Sequence, residues 1–329
     1  MKIVVDAMGS DRAPRVEVEG AIQAVKEYGH EIVLVGDEAL IKEQLRKSGG
    51  DGGRISVVHA PERIEMHEPA AISVRRKRKS SIVVGLEMIK QGDGDGFVSA
   101  GNTGAVVCAA TLSLRLLPGV ERPGIGIVIP TMKGPSVIID VGANIDPKPV
   151  HIYQYAIMAH AYSKYILHNQ NPSVGLLNVG EEETKGTEFI KESHTLLSGS
   201  KLNFIGNIEG RDIYTGNADI ILCDGFVGNV ILKVSESVID TLVKLVKQEI
   251  KSNVVAMIGA MLAMPAFNAL KKKMDYAEYG GALLLGVDGR CIISHGSSNA
   301  KAIKNAIRVA AESKTQDVNK HIVEELETF

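Results

Sequence analysis

At 329 residues, with 45% hydrophobic and 23% charged side chains, the chain has the make-up of a soluble globular protein with material for a large core. Its formal net charge of −2 argues against binding nucleic acid through bulk charge, and 4% aromatics with no Trp argue against a base-stacking platform. Three cysteines, an odd number without C-x-x-C spacing, give no disulfide framework and fit a reducing compartment.

The chain opens MKIVVDAMGSD, a strand over residues 2–5 that runs straight into a polar turn. It lacks the apolar h-region and small-residue cleavage site of a signal peptide, so a cytoplasmic protein is expected. Residues 16–28 have helical periodicity, 31–35 form a second strand and 39–47 a helix; a third strand, 55–59, follows the loop SGGDGG. Residues 82–90 are helical. GDGDG then turns the chain into FVSAGNTGAVV, which reads as strand, turn and helix. Strands follow at 125–130 and 136–140 around the turn TMKG, then a long helix at 152–167 and a strand at 174–179. Strands at 203–205 and 218–223, a helix at 230–250, and a final strand–turn–strand–helix complete the pattern. There is no internal repeat, low-complexity linker or domain boundary. Strands alternating with helices predict one three-layer α/β/α unit over 1–329 with a mostly parallel sheet. Ligands bind such sheets beyond the carboxyl ends of the strands. The polar tips at 6–11, 99–104, 140–144, 180–185, 224–229 and 295–299 are therefore expected to converge.

The tips carry the chemistry. Gly101 and Gly104 let backbone approach a ligand, and Ser99, Asn102 and Thr103 offer short hydrogen-bonding side chains. The first amides of the following helix favour an anion. This turn reads either as a phosphate or carboxylate cradle or as an ordinary βα turn with a capping residue. Lys185, in EEETKGTEF, is a phosphate-holding point charge or a solvated cation beside three glutamates. Asn229, at the end of CDGFVGN, is a helix cap or a donor to a developing oxyanion. Asp224 orients a partner or ends its strand. His295 is a general acid–base or a structural histidine. Cys108, Cys223 and Cys291 raise the idea of an acyl-enzyme, but each reads more simply as a small buried hydrophobe. Dinucleotide, P-loop and nucleophile-elbow signatures are absent, and no His/Cys pair has zinc spacing. Neither cofactor nor metal is expected.

The segments DAMGSD, SAGNTGA, DVGAN, LLNVGEEETKG, CDGFVGN and EYGGALLLGVDG occur in order over nearly the full length. Together they resemble the bacterial phosphate acyltransferases of the PlsX type. Ser10 is a small departure, where glycine is more usual. The resemblance implies a fold similar to isocitrate and isopropylmalate dehydrogenases and to phosphotransacetylase. It implies a homodimer with its site near the subunit interface, and transfer of a fatty acyl group from acyl-acyl carrier protein to inorganic phosphate. It points to Lys185 and Asn229 as catalytic. Ser99, Asn102, Thr103, Gly104, Asn144, Asp224 and His295 become candidates for binding phosphate or substrate. The acyl phosphate product would pass to an acyl phosphate-using glycerol-phosphate acyltransferase in phospholipid synthesis.

Two surfaces suit partners. Arg75, Arg76, Lys77, Arg78 and Lys79 form a compact basic run, either a solvated face or a docking patch for the acidic carrier protein. Residues 254–267, VVAMIGAMLAMPAF, cover 14 positions without charge, between lysines at 244, 247 and 251 and at 271–273. A spanning helix needs about 20 apolar residues. The stretch is therefore a core or dimer-interface segment, or the tip of a helical projection at about 240–275 that enters a membrane surface. Val254, Val255, Met257 and Ile258 would form the tip with Met261, Leu262 and Met264, placing the protein peripherally on the inner face of the cell membrane. Rival readings are a metal- and NAD-dependent decarboxylating dehydrogenase of the related fold and a membrane-attached scaffold that binds carrier protein.

Overall fold

The structure, a computed structural model, describes residues 1–50, 53–274 and 278–329; the side chains of residues 271–274, and with them the flanking lysines at 271–273, lie outside the described part. The described strands are β1 (Lys2–Asp6), β2 (Glu31–Gly36), β3 (Ile55–His59), β4 (Gly96–Ser99), β5 (Gly124–Pro130), β6 (Pro135–Ile139), β7 (Val174–Leu177), β8 (Phe204–Ile208), β9 (Ile220–Leu222), β10 (Ala282–Leu285) and β11 (Cys291–Ile293). The helices of the first half are α1 (Arg15–Tyr28), α2 (Glu38–Lys47), α3 (Ala70–Arg76), α4 (Ser81–Gln91), α5 (Thr103–Leu114) and α6 (Pro149–Tyr165). Those of the second are α7 (Glu188–Ser198), α8 (Gly225–Ser252), α9 (Val254–Leu262), α10 (Met264–Met274), α11 (Ala300–Thr315) and α12 (Val318–Thr328).

The strands form one sheet in the order β3-β2-β1-β4-β11-β10-β5-β6-β9-β7-β8. Helices cover both faces, so its strands are apolar at nearly every position rather than at alternate ones. Ile3 and Val5, Ile32 and Leu34, and Val137 and Ile139 face one buried cluster; Val4, Val33 and Ile138 between them face the other. Each such side chain contributes about 1.5–3 kcal/mol by leaving water. This is the expected three-layer, mostly parallel α/β/α architecture.

The direction of the strands corrects one expectation. β10 is antiparallel to both neighbours, and β5 is antiparallel to β6. Strands β3, β2, β1, β4 and β11 therefore run one way, and β6, β9, β7 and β8 run the other. The six polar tips divide into two groups at opposite strand ends. The tips 6–11, 99–104 and 295–299 form the first, and 140–144, 180–185 and 224–229 the second.

Helix boundaries also move. The helix expected at 230–250 begins at Gly225, because the Asp224 carboxylate accepts the amides of Phe226 and Val227. At Asn253 the backbone turns extended, and its side chain caps α9. Thr187 likewise caps α7, a helix that begins just beyond the polar tip at 180–185.

Candidate active site

The first group is braced from within. The Ser99 hydroxyl donates to the buried Asp6 carboxylate at 2.6 Å and accepts the Gly101 amide at 3.0 Å. Burial pushes the Asp6 carboxyl above its ordinary pKa, against the hydrogen bonds of Ser81, Ser99 and Met8. Asn102 caps α5 by accepting the Ala105 amide, while its Nδ2 donates to the carbonyls of Glu65, Met66 and Glu68. Ser99 and Asn102 thus hold loops together and have little left for a ligand. Thr103 and Gly104 are exposed at the first turn of α5, where amides point outward. The loop after β1 locks to the loop after β11: the Asp11 amide donates to Gly296, and Arg12 donates to the carbonyls of Ser297 and Ser298. His295 is exposed, with its Nδ1 at 2.7 Å from the Ser297 hydroxyl.

The second group is built around Asp140. Its carboxylate is buried and accepts four amides, from Ile125, Gly142 and Ala143 at one oxygen and Asn144 at the other, between 2.7 and 3.0 Å. Burial still raises its pKa against those bonds. The folded loop presents the Asn144 carbonyl to the Gly225 amide at 2.9 Å, which seats the start of α8. Gly228 is required there: a Cβ would stand 1.9 Å from the Asp140 carbonyl oxygen. One residue on, half-buried Asn229 lies over Gly142, and its side-chain amide has no hydrogen-bond partner among the described residues. Half-buried Asp224 is spent on capping α8.

Lys185 leaves the neighbouring strand, β7. Asn178 donates to the Lys185 carbonyl, and the Lys185 amide donates to Glu182, which closes the turn. Its stem lies over Gly180. The side chain is exposed, and its ammonium has no ion pair among the described residues. Glu181 is taken by Arg211 at 2.9 Å. Because β6, β9 and β7 are parallel neighbours, the segments that carry Asn144, Asn229 and Lys185 leave the sheet at the same strand ends. Helix α8 links the two groups. Glu236, seven residues beyond Asn229, lies 4.0 Å from His295; at 1.5 Å per residue those positions are about 10 Å apart along the helix.

Two of the three cysteines are buried small hydrophobes, while Cys108 on α5 is half-buried. Cys223 and Cys291 are buried, and burial pushes their thiols up, that of Cys291 to about 12. Among the described residues no three His, Cys, Asp or Glu side chains cluster as a metal site. Of the basic run, Arg75, Arg76, Arg78 and Lys79 are exposed, whereas Lys77 turns inward to the Glu68 carboxylate and the Arg63 carbonyl. The apolar tip is bare: Val255 is 77% and Leu262 80% exposed, and Val254, Met257, Ile258, Met261 and Met264 are exposed too. No described helix is long and apolar enough to cross a membrane. Sequence reasoning missed the anchoring by Asp140 and the part of Tyr155, whose hydroxyl sits between Asn144 and Pro123. Asp140 had a signal, an aspartate ahead of small residues whose amides can fold back on it. Tyr155 had none, since it reads as one more core residue of a helix.

The fold is that of phosphotransacylases and their dehydrogenase neighbours. A phosphotransacetylase from Streptococcus pyogenes superposes with a TM-score of 0.63 at 18% identity, over 95% of this chain and 94% of that one. A 4-hydroxythreonine-4-phosphate dehydrogenase from Klebsiella pneumoniae does so with a TM-score of 0.51 at 11% identity, over 95% and 99%. At such identities the likeness speaks for the fold alone. The sequence narrows the class. Residues 1–321 match the family described as "Fatty acid synthesis protein". A phosphate acyltransferase from Aquifex aeolicus is 51% identical over 100% of this chain and 98% of its own length. The chain belongs to this fatty acid synthesis family, the PlsX family, and is an acyltransferase.

Proposed function

We propose that the protein moves a fatty acyl group from the thioester of an acyl carrier protein to inorganic phosphate, giving acyl phosphate and the free carrier thiol. The observation that carries this reading is the pair Lys185 and Asn229, whose side chains have no polar partner among the described residues and which follow adjacent strands in a relative of phosphate acyltransferases. A phosphate oxygen attacks the thioester carbonyl, an oxyanion forms, and the carbon–sulfur bond breaks to release thiolate. Phosphate is the nucleophile, so the protein supplies proximity and charge stabilisation. Lys185 offsets the charge of phosphate or oxyanion, and Asn229 donates to the reacting centre. Asn144 borders them, and Asp224 fixes the helix that presents Asn229. The outward amides at Thr103 and Gly104 hold an anionic part of the donor or product, on the turn that Ser99 and Asn102 brace. His295, beside Glu236 further along α8, binds the donor away from the reacting centre, and the thiolate takes its proton from solvent.

The whole of 1–329 works as one catalytic unit, with the helices at 240–275 as a projection that rests on the inner face of the cell membrane from the cytoplasm. There the acyl phosphate passes to an acyl phosphate-using glycerol-phosphate acyltransferase. A second copy of the chain completes a homodimer; Val230, Val234, Val238, Leu242 and Leu245, exposed at three- and four-residue spacing along α8, favour it. Arg75, Arg76, Arg78 and Lys79 draw in the acidic carrier protein, while Lys77 shapes the patch. The test is direct: purified protein, acyl carrier protein thioester and phosphate should yield acyl phosphate. Lys185→Ala should reduce turnover by about 100-fold or more, and reversing the four exposed charges should raise KM for the carrier. No acyl phosphate from the unaltered protein sinks the reading. Near-normal turnover by Lys185→Ala removes that residue's role, and an unchanged KM removes the docking patch.

A further inference from the structure

The segment leading into β5 is fastened to α6 at several points. Gln154 donates to the Gly119 carbonyl at 2.8 Å and accepts the Glu121 amide at 2.9 Å. The His151 ring lies 3.3 Å from the Glu121 carboxylate. The Tyr155 hydroxyl donates to the Pro123 carbonyl at 3.3 Å. Between the last two anchors stands Arg122, exposed, its guanidinium without an ion pair or hydrogen bond among the described residues. Such bracing leaves the backbone of one unpaired arginine firmly held.

Its place is set by the sheet. β5 is antiparallel to β6, so β5 begins where β6 and its parallel neighbours β9 and β7 end. The Ile125 amide reaches Asp140, and Val141 donates to the Ile125 carbonyl, which ties this start to the Asp140 loop. Asn144 donates at 3.4 Å to the same Tyr155 hydroxyl that holds Pro123. The Arg122 charge also acts on that phenol, favouring its ionised form against burial and the charge of Asp140. Arg122 is thus carried at the strand ends where the segments bearing Asn144, Asn229 and Lys185 leave the sheet. A phosphate dianion is only half neutralised by one lysine. A guanidinium on a held backbone offers the planar fork that matches two oxyanion oxygens at once.

We propose that Arg122 is a second phosphate-holding cation of this site, binding inorganic phosphate through its guanidinium opposite Lys185. The inference rests on the acyl transfer reading above. The full chain is assayed at saturating acyl donor, and its thermal midpoint is recorded with and without inorganic phosphate. Arg122→Ala should raise KM for phosphate about 10-fold or more, the worth of a lost charge-assisted contact, with KM for the acyl donor within about twofold. Arg122→Lys should recover part of the loss, which a merely structural arginine would not require. Phosphate should raise the midpoint of the unaltered protein and of Lys133→Ala, a charge control at the other strand ends, but not of Arg122→Ala. If the unaltered protein turns over and Arg122→Ala keeps its KM for phosphate, the role of Arg122 falls and the reaction stands. If no acyl phosphate forms yet phosphate stabilises in an Arg122-dependent way, the reaction falls and the anion site stands. If phosphate neither reacts nor stabilises, both fall.

Discussion

Glu17 is a carboxyl group shut away from the protein surface. It is fully buried on α1, one oxygen accepts the Ser10 amide at 2.9 Å, and the other has no hydrogen-bond partner among the described residues. Burial raises its pKa to about 7, against the Ser10 hydrogen bonds and with help from the charge of Asp6. Unfolded, it titrates near the ordinary value of about 4.3. The folded state therefore binds the proton more tightly, and this group stabilises the fold fully below about pH 4.3. That stability is lost as pH rises to about 7. Glu17→Gln keeps an acceptor for Ser10 and removes the titration. Between pH 4.5 and 7.5 the unaltered protein should lose on the order of 3 kcal/mol relative to this variant, read from denaturant melts. Parallel stability curves for the two proteins would contradict the raised pKa. At this scale the sequence was partly legible. Lys185 and Asn229 stand out because each is a polar residue in a short motif at a strand end. Arg122 does not, because its meaning depends on which strand ends lie side by side, and Asp140 shows only through the small residues that follow it.

Helix α8 is where element-level reading both succeeded and fell short. The long helix and the uncharged stretch after it are visible in the run of residues. Its early start at Gly225 is not, since that needs the Asp224 cap and the fit of Gly225 and Gly228 against the Asp140 loop. The strand alternation was equally visible, whereas the reversal of the second half was not. Strand direction is decided by connections such as the β5–β6 hairpin, which local periodicity does not report. The apolar end of the projection calls for its own test. Leu262→Asp places a charge at its most exposed position and should abolish binding to anionic vesicles in a flotation assay. Retained binding would refute insertion of this tip.

The molecule as a whole presents two strand-end groups joined by one helix whose outer ridge is apolar. If that ridge meets a second copy, Val238→Glu should shift the sedimentation coefficient from dimer to monomer, while Leu262→Asp should not. A monomer in the unaltered protein would remove the homodimer. The buried cysteines carry a further consequence. Their thiols stay protonated at neutral pH, and neither lies open to a substrate. Half-buried Cys108 is then the one cysteine left that could carry an acyl group between partners. In the direct transfer proposed above, donor and acceptor occupy the protein together; a sequential kinetic order, kept in Cys108→Ala, is the expected outcome, and a ping-pong pattern would contradict it.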